Sequence, residues 1–439
     1  MPELLVAKAG GTSNASAEAV QQSLHWAEQS NVFVVSAPGK VSSEPEGDKV
    51  TNLLLAGHDE YMRSGDVSEF VGATVAERFY QLRRGLGQKT NSVAEIPFRI
   101  RDAIRQGRDA VSMLGEQLQA EIYRDMGFIL IDPGTAPRDL GADPESWRGW
   151  FDSFFDPNKK YVLPGNTTRT GGHMETFDRG GSDISGGLAA YAIRASLNLN
   201  LTDGPAMSTD PKLIGKDRAR HIEHLTYAEL RELGFNGTGL VHPTAVVPLM
   251  LGNIPTEVRS TFDTNMSPTL LDNDTIRAET RSGRIVALSL MKDVAIVRIH
   301  EPGMFEATGR LSTYEEAMRQ RGVPLLDTKG DGVDDQKYFV RSSDAGKVAE
   351  ALEAVVRPGS TIEASDNMTM VTMVGHRLDQ RIIDNLFVLA FNSGVRAKQW
   401  QFEGYDMTFN RHSVRIGVEP SIANEVLDQL HYQTIEQKV

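Results

Sequence analysis

What most constrains this chain is the spacing of its first two apolar runs. Residues 4–7 (LLVA) and 31–37 (NVFVVSA) are continuously apolar instead of alternating, the pattern of strands covered on both faces. Between them SAEAVQQSLHWAEQS, residues 16–30, carries helical spacing. Two such strands joined through a helix form a β-α-β crossover, which commits the chain to a parallel sheet with helices on its faces. Residues 51–127 read as mostly helical, and GFILID (127–132), KKYVLPG (159–165) and LNLNLTD (197–203) supply further strands. The expectation is an α/β fold, a three-layer αβα sandwich on a mainly parallel sheet, over residues 1–265.

Past residue 264 the grammar changes. DVAIVRIHEPG, QKYFVRS, MTMVTMVG and HSVRIGVE read as short strands, interleaved with the helices LSTYEEAMRQRG, AGKVAEALEAVV, QRIIDNLFVLAFNSG and IANEVLDQLHY. This order appears twice and predicts two ferredoxin-like α+β modules, at 285–357 and 361–436. A duplicated small module suits ligand sensing, and it suits equally a dimerisation platform that binds nothing.

Length and charge narrow the function classes. A chain of 439 residues exceeds one ordinary core and suggests about three domains. It contains no cysteine, which excludes disulfides, thiolate nucleophiles and cysteine-ligated zinc, and makes the cytoplasm the expected compartment. A net charge of −13 repels nucleic acid and anionic membranes at long range, and no local basic patch offsets it. No apolar run approaches a bilayer span, and the opening MPELLVAKAGG is too short and weakly apolar for a signal segment. Neither a nucleic acid nor a membrane is an expected partner.

Three stretches could carry chemistry. AKAGGTSNAS, residues 7–16, puts Lys8 at the mouth of the first strand, before the glycine turn Gly10-Gly11 and the hydroxyls of Thr12 and Ser13. Backbone N–H groups and one mobile cation can converge there on a phosphate, although the stretch is neither a P-loop nor GxGxxG. FDRGGSDISGG, residues 177–187, brings Arg179, Gly180, Gly181, Ser182 and Asp183 to one helix start. A capped helix after a turn would explain Ser182 or Asp183, but not the arginine and both glycines, which suit close approach to a carboxylate or phosphate. LTDGPAMSTDPKL, residues 201–213, leads from a strand end at Thr202-Asp203 to Asp210 and Lys212, a place where α/β sheets bind nucleotides and also where ordinary turns occur. Glu116, near a helix start in MLGEQLQAEIY, would by itself pass as a complement to the helix dipole.

Together these segments resemble the aspartate kinases, a branch of the amino-acid kinase family with C-terminal ACT domains. Lys8-Ala9-Gly10-Gly11-Thr12-Ser13 is similar to the family's Lys-Phe-Gly-Gly-Thr-Ser. Ser36-Ala37 with Thr51-Asn52-Leu53-Leu54, Gly115-Glu116, the run from Asp178 to Asp183, and Thr202-Asp203 with Thr209-Asp210-Pro211-Lys212 resemble its other motifs in order and spacing. The tail resembles paired ACT domains, and the likeness covers nearly the whole chain. Ala9 stands at the usual phenylalanine, Gly239 where a nucleotide-contacting lysine is often found, and Met207 at a frequent tyrosine.

The resemblance implies transfer of the ATP γ-phosphoryl group to the β-carboxylate of L-aspartate, with ATP and Mg²⁺ and no dedicated protein metal site. It implies that Lys8 and Asp183 are catalytic, with Lys8, Gly10, Gly11, Thr12, Ser13, Thr202, Asp203, Asp210 and Lys212 toward ATP. Ser36, Thr51, Glu116, Arg179, Gly180, Gly181 and Ser182 fall on the substrate side, where Arg179 would hold the α-carboxylate and Glu116 would receive the ammonium. It further implies feedback control by an amino acid, lysine first, and a homodimer or higher oligomer through the ACT-like modules. For the effector, HEPGMFEATG (300–309) sets a glycine and Phe305 at a strand end before a helix, where backbone groups can grip an amino acid. A kinase for another amino acid such as glutamate, and a catalytically weak amino-acid sensor or partner subunit, are the alternatives.

Overall fold

The computed structural model describes residues 3–437, except 42–46, 68, 178–179, 236–240, 331, 366 and, within 380–411, all but 381, 384–385, 388 and 407–409. The chain divides into two compact units. The first is built from Met1–Ala206, His221–Arg231 and Gly239–Asp274, the second from Met207–Arg220, Glu232–Thr238 and Thr275–Val439.

In chain order the strands of the first unit are β1 (Leu5–Ala9), β2 (Val32–Val35), β3 (Ile129–Leu130), β4 (Tyr161–Pro164), the hairpin β5 (Thr168–Thr170) and β6 (His173–Glu175), β7 (Leu197–Thr202), β8 (His224–Thr226), β9 (Thr256–Ser260) and β10 (Thr269–Asp272). Outside the hairpin they form one sheet in the order β3-β4-β2-β1-β7-β9-β10-β8. Every pairing in it is parallel except β9 with β10. The expected crossover is present: helix Ala17–Gln29 joins β1 to β2, its N-terminus capped by Ser16 Oγ, which accepts from the Ala19 N–H. Four helices, Val50–Ser64, Glu69–Gly85, Ile96–Gln106 and Arg108–Arg124, fill the stretch read as helical. Their apolar faces bury Leu54, Val75, Phe79, Ile100 and Leu118 in one core with Ala7, Phe33 and Val35. Helix Gly181–Ala192 is buried almost throughout and lies close to β1; a Cβ on Gly186 would stand 3.3 Å from Cβ of Lys8. The resulting three-layer sandwich agrees with the fold read from the sequence.

The second unit carries β11 (Ile285–His300), β12 (Asp327–Gly330), β13 (Asp335–Arg341), β14 (Thr361–Ala364), β15 (Met368–Gly375), β16 (Met407–Phe409) and β17 (Ser413–Val418) in one antiparallel sheet. The long β11 serves two neighbourhoods. Its second half, Val294–His300, pairs with β13 on one side and, from Val297, with β14 on the other, giving the order β12-β13-β11-β14 under helices Arg310–Gln320 and Ala345–Glu353. Its first half pairs with β15 instead, and the two registers part between Met291 and Val294, where Asp293 has a φ of 60°. β15, β17 and β16 with helix Ala423–His431 complete the second module. Thus 361–364 lies in the sheet of the first module and 285–291 in that of the second. Most of the helix expected at 380–394 lies outside the described residues.

One segment of the second unit comes from the middle of the chain. Residues 207–220 bury Ile214 and Ala219 in the core formed with Leu427 and Leu430. Thr209 Oγ1 lies 2.9 Å from Nδ1 of the buried His431, and the Arg218 guanidinium bridges Asp428 and Glu436.

Candidate active site

The turn after β1 is rigidly built. Lys8 sits in register with Val34 of β2 and Asn200 of β7, next to the carboxyl end of the strand. Beyond Ala9 the chain bends through Gly10, whose N–H donates to the Leu201 carbonyl, and Gly11. The buried Asn14 clamps this bend: its amide donates to the Ala9 and Gly10 carbonyls, while its oxygen accepts from Gln119 and the Tyr123 hydroxyl. The loop after β2 crosses the bend so closely that a Cβ on Gly39 would lie 2.6 Å from the Gly11 carbonyl carbon.

Across the sheet end, helix Gly181–Ala192 delivers Asp183. Its Oδ1 lies 2.6 Å from Nζ of Lys8, and its Oδ2 accepts from the His242 N–H at 3.1 Å. Lys8 also donates to Asn200 Oδ1 at 3.3 Å. An ammonium has three N–H bonds, so these two acceptors orient Lys8 and leave one bond for an incoming oxygen. Gly180 has a φ of 65°, and a Cβ there would stand 2.3 Å from Cβ of His242. A Cβ on Gly181 would come within 1.7 Å of Oδ1 of Asn166. Both glycines are therefore demanded by the close passage of neighbouring chain.

These elements enclose a cavity of about 630 Å³. Of the residues expected at a site, Lys8, Gly11, Thr12, Ser36, Thr51, Glu116, Gly180, Gly181, Ser182 and Asp183 all line it. Glu116 is only 5% exposed, and its Oε2 meets no protein donor. Burial pushes its carboxyl up to about 8, against hydrogen bonds from the backbone N–H groups of Glu116 and Ala37, which favour the anion. A buried acceptor aimed at a cavity and lacking a donor suits a cationic ligand.

The other expected residues are placed differently. Gly10 shapes the bend without lining the cavity. Ser13 is fully buried; its hydroxyl reaches the Leu201 carbonyl and lies 2.6 Å from Oγ1 of Thr261, so it joins β7 to the turn after β9. Thr202 ends β7 half-buried and Asp203 is exposed, neither lining the cavity. Asp210 caps the short helix Pro211–Ile214 by accepting from the Lys212 N–H, and both residues belong to the second unit, as does Met207. Arg179 and Gly239 lie outside the described residues. The cavity also takes in Lys49, Arg108, Ser112, Asn166 and Thr176, which the sequence reading did not single out. Two signals were available: Ser112 is four positions before Glu116 on the same helix, and Asn166 follows a glycine at the end of a strand.

The chain belongs to the amino acid kinase family, whose family model matches residues 3–260. Among curated relatives, aspartokinase 3 of Bacillus subtilis is 26% identical over 385 residues, covering 79% of this chain and 79% of the relative. Among solved structures, the aspartate kinase of Clostridium acetobutylicum superimposes with a TM-score of 0.76 at 22% identity, covering 98% of this chain and all of that one. Aspartokinase III of E. coli, solved with aspartate and ADP, gives 0.77 at 19% identity over 99% of this chain and all of that one. Both share the fold of this chain.

Proposed function

We infer that the protein is an ATP-dependent aspartate kinase, which transfers the γ-phosphoryl group of ATP to the β-carboxylate of L-aspartate and releases 4-phospho-L-aspartate and ADP. This is the first step of aspartate-family amino-acid biosynthesis, and the reading includes a cytoplasmic location. The observation that carries it is the cavity itself, with an oriented lysine at one wall and the buried, partner-poor Glu116 at another. The names of the relatives, aspartokinase or aspartate kinase, support the same substrate.

The chemistry asks little of a base. The β-carboxylate is ionised at neutral pH and is already the nucleophile. Lys8, held by Asp183 and Asn200, directs its remaining N–H at the transferring phosphoryl group and offsets the charge that spreads over its oxygens. Gly11 and Thr12 line the same wall and supply backbone and hydroxyl donors. Glu116 receives the substrate ammonium, while Ser36, Thr51, Gly180, Gly181 and Ser182 shape the substrate pocket. Arg179, by its place in the motif, pairs with the α-carboxylate. Thr202 and Asp203, by their place in the motif, serve the nucleotide side.

Among the described residues no group of three or more His, Asp or Glu converges on one point. In this reading Mg²⁺ arrives on the nucleotide phosphates, with Asp183 the carboxylate nearest the reacting groups. The ion would supply charge neutralisation at the phosphates. No described helix is long and apolar enough to cross a membrane. The ACT-like unit, in this reading, forms the contact of a homodimer or larger homo-oligomer and takes an amino-acid effector, lysine first.

The test is trapping with hydroxylamine. Purified protein with MgATP should form aspartyl hydroxamate far faster than glutamyl hydroxamate. Equal turnover of the two, or none of either, rejects the assignment. Addition of millimolar lysine should slow the reaction; an unchanged rate and an unchanged melting temperature reject lysine as effector and leave the kinase reading intact.

A further inference from the structure

Two residues that line the cavity each carry a buried polar oxygen without a donor. One is Oε2 of Glu116, and the other is Oδ1 of Asn166, equally buried and equally unpartnered. Their relative placement follows from the helix between them. Asn166 donates through Nδ2 to the Ser112 hydroxyl at 3.3 Å. Ser112 and Glu116 are four residues apart on helix Arg108–Arg124, so their Cβ atoms stand about 6 Å apart on one face. The carboxamide and the carboxyl thus flank one stretch of wall. What satisfies two adjacent acceptors at once is a group with several N–H bonds and positive charge.

Asn166 has a φ of 57°, a left-handed conformation that glycine adopts with less strain. The carboxamide is also packed tightly: Gly181 must lack a Cβ to leave room for Oδ1. Donation to Ser112 turns the oxygen of the amide away from the helix.

We propose that Asn166 is a substrate-binding residue whose carboxamide oxygen, together with Glu116, receives the ammonium of the amino-acid substrate, which restricts the enzyme to free α-amino acids. The proposal rests on the aspartate kinase reading and adds a selectivity device to it. An N-acylated amino acid presents one N–H and no charge, so it leaves one acceptor unsatisfied and is rejected.

The test is a cycle between residue and ligand. L-Aspartate and succinate differ by the ammonium group, and Asn166→Gly removes the carboxamide while keeping a residue at ease with positive φ. The wild type is first shown to form aspartyl hydroxamate; failure at that step overturns the kinase reading and is seen before any variant is made. Binding of both ligands, the latter as a competitive inhibitor, is then measured. Asn166→Gly should weaken L-aspartate by about ten- to a hundredfold, the range expected for a hydrogen bond to a charged group, and change succinate affinity and the KM for ATP by less than about twofold. Asn166→Asp retains an acceptor and should keep the preference for aspartate; it also serves if the glycine variant does not fold. Equal weakening of both ligands, no effect on either, or loss of the preference in Asn166→Asp overturns the proposal.

Discussion

Binding of L-aspartate at neutral pH should release close to one proton, and the proton comes from Glu116. With its carboxyl raised to about 8 by burial, Glu116 at pH 7 is protonated in about 0.9 of the molecules. An ammonium placed against it favours the anion and returns the group toward its ordinary value of 4.5, so most of that proton is expelled. The release should fall to about 0.5 at pH 8, where half the empty protein is already ionised. Calorimetric titration in buffers of different ionisation enthalpy counts these protons directly, and Glu116→Gln should remove them while weakening aspartate. The same group affects stability. Its folded value lies above its unfolded one, so below about pH 4.5 both states hold the proton and there is no penalty. As pH rises from about 4.5 to 8 the unfolded chain ionises first and the fold loses stability. For a carboxyl raised from 4.5 to about 8 the ceiling is about 5 kcal/mol, reduced by any water that reaches the group. Glu116→Gln should therefore gain on the wild type in denaturant melts as pH rises through that window. A release below about 0.2 proton at pH 7, or the same release in the glutamine variant, refutes the reasoning.

Three further outcomes are expected. Lys8→Met should lower kcat by about 10²–10³ with a smaller effect on the KM for aspartate, as removal of one preorganised charge does; an effect confined to that KM would place Lys8 on the substrate instead. Gly181→Ala should abolish activity, because its Cβ would lie 1.7 Å from Asn166 Oδ1, and steady-state turnover with circular dichroism separates a lost site from a lost fold. Ser13→Ala should cost about 1–2 kcal/mol in urea melts by leaving Thr261 with an unmet buried hydroxyl, with kcat within a few-fold of wild type; a large loss of kcat at unchanged stability would place Ser13 on the phosphates.

The sequence revealed most where burial enforces a simple pattern. Continuous apolar runs at β1 and β2 expose a strand covered on both faces, and the two glycines at 180–181 expose a close approach, because few other causes put them before a helix. Short strands were harder. β8 to β10 contain Thr, His, Glu and Asp, whose polar atoms are met by neighbours such as the Asp272 carboxylate beside His224, so no apolar run announces them. The membership of residues 207–220 in the second unit depends on contacts with His431, Asp428 and Glu436, more than two hundred positions away. Local periodicity carries no trace of such distances. Ser13 shows a different limit: a hydroxyl beside a glycine turn reads as a phosphate donor, yet only the fold shows that it points inward.

The course of β11 has a consequence for how the tail can be cut. Because its first half belongs with β15 and its second half with β13 and β14, the first module is spliced into the second between one strand and the next. Neither module is a continuous stretch that owns all its strands. A fragment beginning at residue 361 would carry β14, which is left without its partner, and would lack 285–291, leaving the inner edge of β15 bare and inviting pairing with another chain. The smallest stretch that keeps every strand of the sheet starts at residue 285 and runs through β17. Recombining such a tail with another catalytic part by a junction at 357–361 would divide a sheet, whereas a junction ahead of β11 leaves its hydrogen-bond ladder whole.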